Sequence, residues 1–269
     1  MAKSKPSLAE PYLLLYRYRR LLWDSVKSSL KARFAGSLFG MGWIVIGPLM
    51  LLVLYGIIYA VIFKIRPLNL SLADYILYIF AGLIPFIAFS QALSAGAVSL
   101  SNDPGLLLNK VFPAELLPVR EVIASGSMII AGGMVVIVYK LFMGGISWTW
   151  LLLPLVLILM AMTLIGMVWA LSLANLMVKD VQQMLTYIII LLLVASPIAY
   201  TPDMIPPSLK ILLYINPLAY YVMTFQSILV LGELPPLPIL IGVVVIALVW
   251  FHGMYGIFKN GKLVLSDNI

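Results

Sequence analysis

The sequence predicts an all-α polytopic membrane protein. It is expected to have six transmembrane helices, both termini on the cytoplasmic side, an N-terminal amphipathic interfacial helix and re-entrant helices before the last span. Three observations predict this. Hydrophobic residues make up 63% of the chain and charged residues 10%, with a mean hydropathy of +1.10, far from the roughly 25% charged of a soluble domain. Charge-free stretches recur at lengths matching the ~20 residues that an apolar helix needs to cross the hydrocarbon. Basic residues crowd ahead of the first such stretch, which places the N-terminus in the cytoplasm.

Residues 1–33 form the cytoplasmic interfacial region. Leu15, Tyr18, Leu22, Val26 and Leu30 recur at spacings of three and four, while Arg17, Arg20, Asp24, Lys27 and Lys31 recur on another face. That pattern describes an amphipathic helix lying in the membrane plane, with Trp23 at the interface and arginines and lysines that can meet phospholipid headgroups. The first residues lack an apolar core ending in a small-residue cleavage site, so no cleaved signal peptide is expected. In a chain this apolar, the net charge of +7 points to the inner membrane face and anionic lipid rather than to nucleic acid. There is no cysteine, which excludes disulfides and thiolate metal sites.

Residues 34–258 are the transmembrane domain, with spans expected at about 41–63, 76–101, 122–139, 150–176, 181–201 and 237–258. The charge-free window from Leu141 to Val178 is too long for one span; "GGISWTW" supplies a turn and interfacial tryptophans at its start. The longest cytoplasmic connection, "SNDPGLLLNKVFPAELLPVRE", joins the second and third spans and mixes leucines with Lys110, Glu115 and Arg120. It suits short helices that either lie on the membrane or present a docking ridge to a cytoplasmic partner.

The stretch from Ile211 to Gly232 is uncharged and long enough to cross, yet Pro217 removes a backbone donor and pushes Asn216 out of helical geometry. If it does not cross, Lys110, Arg120, Lys179, Lys259 and Lys262 join the N-terminal cations inside, and only Lys64, Arg66, Lys140 and Lys210 fall outside. If it crosses, Lys259 and Lys262 move outside and Glu233 is left as the only charge in a cytoplasmic loop. The charge bias prefers a re-entrant pair at about 208–231, with 259–269 as a cytoplasmic tail. An ordinary kinked span is the other reading.

No catalytic residue or metal site is expected. The span centres contain no Asp, Glu, Lys or Arg, the groups that intramembrane hydrolases and proton-coupled transporters place at mid-depth. His252 has no second ligand near it in sequence. "GIFKNGKL", residues 256–263, imitates part of a phosphate-binding loop, but Leu263 replaces the magnesium-holding Ser or Thr and no strand precedes it. ATP would therefore be used by another chain. The spans are rich in aromatic residues, among them Trp43, Tyr55, Tyr59, Phe86, Phe89, Tyr187, Tyr200, Tyr220 and Tyr221. Tyrosines facing a conduit suit a sugar polymer, because rings stack on pyranose faces and hydroxyls bond to sugar hydroxyls.

In order and spacing, "LKARFAGSLFGMGWIVIGPLM", "FAGLIPFIAFS", "SLSNDPGLLLNKVFPAELLPV", "VKDVQQML", "SPIAYTPDMIPP" and "INPLAYYVMTFQSILVLGE" resemble the type-2 permease subunits of ATP-binding cassette exporters. The likeness is to those that export polysaccharide, O-antigen or teichoic acid. The resemblance implies a homodimer with two copies of an ATPase subunit that holds ATP and magnesium. It implies docking through the N-terminal region, here Asp24 and Lys27, and the loop bearing Lys110, Phe112, Glu115 and Arg120. It further implies the bacterial inner membrane as location and a lipid-pyrophosphate-linked glycan as cargo, its anionic headgroup attracted by Arg17, Arg19, Arg20, Lys27, Lys31 or Arg33. The glycan would thread past Trp43, Tyr55, Tyr59, Phe86, Phe89, Tyr187 and Tyr200 to an exit gate at Asn216, Tyr220 and Tyr221. Two positions depart from the family pattern: Lys179-Asp180 stands where relatives often carry Arg-Asp, and Gln226 where many carry a basic residue. The alternatives are the same fold exporting teichoic acid, a lipid or a drug. An intramembrane enzyme of lipid-linked sugars would need clustered acids, and Asp74, Asp203 and Glu233 are few and scattered.

Overall fold

The computed structural model describes residues 7–62, 64, 70–102, 112–143 and 145–266. Two interfacial helices, α1 (Glu10–Arg17) and α2 (Arg19–Arg33), precede α3 (Trp43–Tyr55), which π-helical turns continue over Gly56–Ile62. Next come α4 (Leu72–Ala97), the short α5 (Ser99–Asn102) and α6 (Leu116–Phe142). A 3-10 turn at Trp148–Leu152 leads into α7 (Leu153–Met177), and α8 (Val181–Ala195) follows. Then α9 (Ile211–Ile215) and α10 (Pro217–Gln226), extended by π-helical turns over Ser227–Leu231, precede α11 (Leu237–Ser266). Among the described residues there is no strand, and five helices are long and apolar enough to cross a membrane.

α4 is the central helix. It packs along α6, α7 and α10, while α11 lies against α7 and α2 against α6. Side-chain contacts define two ends of the bundle. At the basal end Arg33 meets Glu121, and Glu10 meets Lys259. At the distal end Lys140 pairs with Asp74 at 2.7 Å, and Thr149 donates to the Ile228 carbonyl at 2.8 Å. α2 and the C-terminal half of α11 therefore lie at the same end.

The stretch around Asn216 bends by 95° between its two arms, Pro207–Ile215 and Pro217–Leu231. Asn216 is extended; its side chain accepts from Leu218 N and donates to Ser196 Oγ at 2.9 Å, while Pro217 occupies the first helical position, where a missing N–H costs nothing. The chain enters this region at the distal end, where Tyr75 Oη donates to the Ala199 carbonyl at 2.8 Å. It leaves at Gly232, whose carbonyl accepts from Ser147 Oγ at 3.5 Å and whose φ of +71° closes the helix in the left-handed region. Residues 199–232 thus start and finish at one end of the bundle.

Several element limits differ from the sequence expectation, three of them for a definable local reason. α6 starts at Leu116 rather than 122, because Pro118 is its third residue and needs no intrahelical donor there. α8 stops at Ala195 rather than 201, because Ser196 precedes Pro197 and turns extended. α11 runs to Ser266, beyond the expected 258, and carries the whole 256–263 segment as helix. Lys259 on that extension is neutralised by Glu10 of α1.

Small residues set the closest helix crossings. A Cβ on Gly166 would lie 2.3 Å from the Trp250 carbonyl oxygen, so α7 and α11 touch backbone to backbone there. One turn on, Trp169 is fully buried among Phe251, Tyr255 and Phe258, and its indole N–H donates to the Glu115 carbonyl at 3.0 Å. That bond draws the segment before α6 beneath the basal end.

Candidate functional site

Three side chains meet at the basal end around one buried carboxylate. Glu121, in the second turn of α6, accepts from Ser29 Oγ at 3.0 and 3.2 Å, from Arg33 at 3.1 Å and from Arg120 at 2.8 Å. Arg33 also donates to Gln91 Oε1 on α4 at 3.0 Å. Two guanidinium groups and a hydroxyl therefore offset the desolvation of the carboxylate, which is 8% exposed. The result is a joint among α2, α6 and α4. Neither Glu121 nor Gln91 carries a sequence signal, since the partners lie 88 and 58 residues from Arg33.

The headgroup candidates divide. Arg17, Arg19, Arg20 and Lys31 are exposed on α1 and α2. Arg19 lies 4.4 Å from the Tyr16 ring centre and donates to the Tyr16 carbonyl, and Arg17 lies 5.8 Å from the ring of Tyr18. Arg33 is instead committed to the joint, so the expectation of a free headgroup-attracting side chain is corrected there. A second tie joins α1 to α11: Tyr12 Oη is 3.1 Å from His252 Nε2, and Glu10 pairs with Lys259.

The docking candidates divide too. Asp24 and Lys27 form an exposed ion pair at 3.3 Å on the outer face of α2. Phe112 and Glu115 are buried under the bundle and Arg120 is half-buried beside Glu121, which corrects the reading of these three as an exposed ridge. Lys110 lies outside the described residues.

Among the conduit candidates, Phe86, Phe89 and Tyr221 are core residues; Tyr221 is within 2.6 Å of Thr163 Oγ1 and donates to the Leu159 carbonyl. Asn216 is buried as the cap described above. These four line no open surface, a correction that follows from the packing of α4 and α10 against α7. Trp43 donates to Ser37 Oγ at the foot of α3, and Tyr55 and Tyr59 stack at 5.7 Å along it. Tyr220 is partly exposed, donates to the Tyr214 carbonyl and rests against Gly242 of α11. Tyr187 and Tyr200 come together: both line a largely apolar cavity of about 800 Å³ between α8 and residues 204–213.

Gln226 is the polar residue at the root of the bent pair. Its side-chain N–H group donates to the carbonyls of Pro197 and Ile198, both at 3.0 Å, and the Tyr78 carbonyl lies at 3.4 Å. Gly82 makes room, since a Cβ there would sit 2.8 Å from Gln226 Nε2. The neutral amide thus caps the broken backbone after α8 at a place where lipid offers no partner.

Five apolar spanning helices, an interfacial helical layer and a bent pair that returns to its own end describe a multi-pass membrane permease. The chain belongs to the ABC-2 type transporter family, whose model matches residues 20–230. It is similar to the O-antigen export system permease protein RfbA of Myxococcus xanthus, 25% identical over 95% of this chain and 97% of that one. It is also similar to two proteins of the same name from Klebsiella pneumoniae, each 27% identical over 85% of this chain and 86% of theirs.

Proposed function

We propose that this chain is the permease subunit of an exporter that moves a lipid-pyrophosphate-linked, O-antigen-like polysaccharide across the bacterial inner membrane. The observation that carries the reading is the near full-length likeness to relatives named as O-antigen export permeases. Two copies of the chain form the conduit, and two copies of an ATPase subunit, holding ATP and magnesium, sit beneath them. The basal end faces the cytoplasm, and the pair around Asn216 dips into the membrane from outside.

The geometry supports a route for the work. Asp24 and Lys27 offer the ATPase an exposed face on α2, and Arg33 clamps the other side of that helix to Glu121 and Gln91. A push on α2 therefore moves α6 and α4 together. Arg17, Arg19, Arg20 and Lys31 draw the pyrophosphate headgroup and anionic lipids to the same layer.

The test is co-purification with an ATPase subunit, followed by ATPase assays in vesicles. Stimulation by a polyprenyl-pyrophosphate-linked glycan, but not by the lipid carrier alone, is the expected result; a complex indifferent to the glycan sinks the reading.

A further inference from the structure

Four cavities adjoin from the basal joint to the distal tyrosines. The first, about 350 Å³, lies at Ser29, Arg33 and Glu121, and the second, about 380 Å³, at Arg33, Gln91 and Ser94. The third, about 290 Å³, lies between Ser90, Gln91 and Ser94 on α4 and Thr186 on α8. Ile190 then lines both the third and the 800 Å³ cavity that holds Tyr187 and Tyr200. Each cavity shares a residue with the next, and the upper two follow α8 from Thr186 to Ala195, about 15 Å at 1.5 Å per residue.

The lower track is polar where α4 and α8 face each other. Ser90, Gln91 and Ser94 sit within two turns of the end of α4, and Ser94 and Thr186 are exposed. On the outward side of the distal half of α11, by contrast, Ile241, Val244, Val245, Leu248 and Val249 are exposed and wholly apolar. Hydroxyls and amides facing hydrocarbon go unsatisfied, so the seam between α4 and α8 suits an occupant that hydrogen-bonds. Its bonding capacity is mixed. Gln91 gives its oxygen to Arg33 and keeps its N–H groups; Ser90 and Thr186 donate to the Ile87 and Gln182 carbonyls and keep acceptor lone pairs. Ser94 bonds to no group among the described residues. Alternating donors and acceptors match the hydroxyls of a sugar chain better than a lipid tail, and the length of the track suits an extended polymer. Above them Tyr187, 73% exposed, offers a stacking face on the same helix as Thr186.

We infer that Ser90, Gln91, Ser94 and Thr186 form a stretch that reads sugar hydroxyls and sets which glycans pass to Tyr187 and Tyr200. The inference rests on the glycan-export reading. Single cysteines test the surface without background, because the chain has none. In the assembled complex, Ser94→Cys and Thr186→Cys should react with a water-soluble cationic thiol reagent and be protected by a polyprenyl-pyrophosphate-linked glycan, whereas Val245→Cys should not react. Thr186→Val and Ser94→Ala should each lower glycan delivery to the cell surface about fivefold, the value of one neutral hydrogen bond, with basal ATPase activity kept and Thr186→Ser restoring delivery. Unreactive cysteines, or full delivery by the two hydroxyl-free variants beside a working wild type, overturn the inference alone. A wild type that delivers no glycan overturns the function proposed above, and this inference with it.

Discussion

Arg33 on α2 and Glu121 on α6 form an ion pair at 3.1 Å across 88 residues of sequence, and each is held again by a third group. Replacing Glu121 by Gln leaves Arg33 and Arg120 facing one another without their shared counter-charge. Removing one partner of a buried pair costs about 3 kcal/mol, so Glu121→Gln should melt several degrees lower in detergent. Trypsin should also cut faster at Arg19, Arg20, Lys27 and Lys31 as α2 detaches. Unchanged proteolysis would show that α2 is held by its apolar face alone, through Leu22 and Val26.

Gly166 and Gly253 make a matched pair on the two helices that pack most closely. A Cβ at Gly166 collides with the backbone of Trp250 and Phe251, which cannot rotate away, while a Cβ at Gly253 meets nothing within 4 Å. Gly166→Ala should cost about 2 kcal/mol or more through forced separation of α7 and α11. Gly253→Ala should be neutral or stabilising by up to about 1 kcal/mol. Thermal unfolding of the two variants decides; equal midpoints would mean that the crossing is looser than it stands here.

Gln226→Leu strands the Pro197 and Ile198 carbonyls, which the side-chain amide now satisfies. Each buried acceptor left bare costs about 1–3 kcal/mol. The variant should therefore lower the melting temperature and raise hydrogen exchange at the amides of residues 198–201. Gly82→Ala, which pushes on the same amide, should reproduce the phenotype. A normal exchange profile in both would remove Gln226 as the cap.

Single cysteines also fix sidedness. Glu233→Cys, exposed just past Gly232, should react with an impermeant reagent in intact cells. Asn260→Cys, exposed near the end of α11, should react only after the membrane is opened. The reverse pattern would invert the orientation proposed for the whole chain.

The apolar windows, the amphipathic spacing of Leu22 and Val26 and the Asn216-Pro217 break were all legible, because each is a local pattern with a local physical cause. The start of α6 was hidden because the charge-free window opens only after Glu121, whereas Arg33 and Arg120 neutralise that carboxylate inside the helix and Pro118 costs nothing in the first turn. Lys259 misled similarly: its charge suggested a tail, while Glu10, far away in sequence, lets the helix continue. The site was less legible than the fold. Aromatic residues such as Phe89 and Tyr221 have the same composition whether they line a surface or fill a core, and only packing separates them. The joint at Glu121 and the polar seam on Ser90, Gln91, Ser94 and Thr186 are made by residues brought together from separate helices, for which no spacing rule exists.

The early stop of α8 leaves a helix shorter than the layer it has to bridge. Fifteen residues of helix reach about 22 Å, whereas the hydrocarbon core of a bilayer is about 30 Å thick. Above Ala195 the wall is no longer continuous helix but a junction of Ser196, Asn216 and Gln226, rich in amides and a hydroxyl. Those three side chains are buried and bonded to one another and to the Pro197 and Ile198 carbonyls, so about the last quarter of the layer is bridged by irregular backbone that shows no bare polar group to lipid.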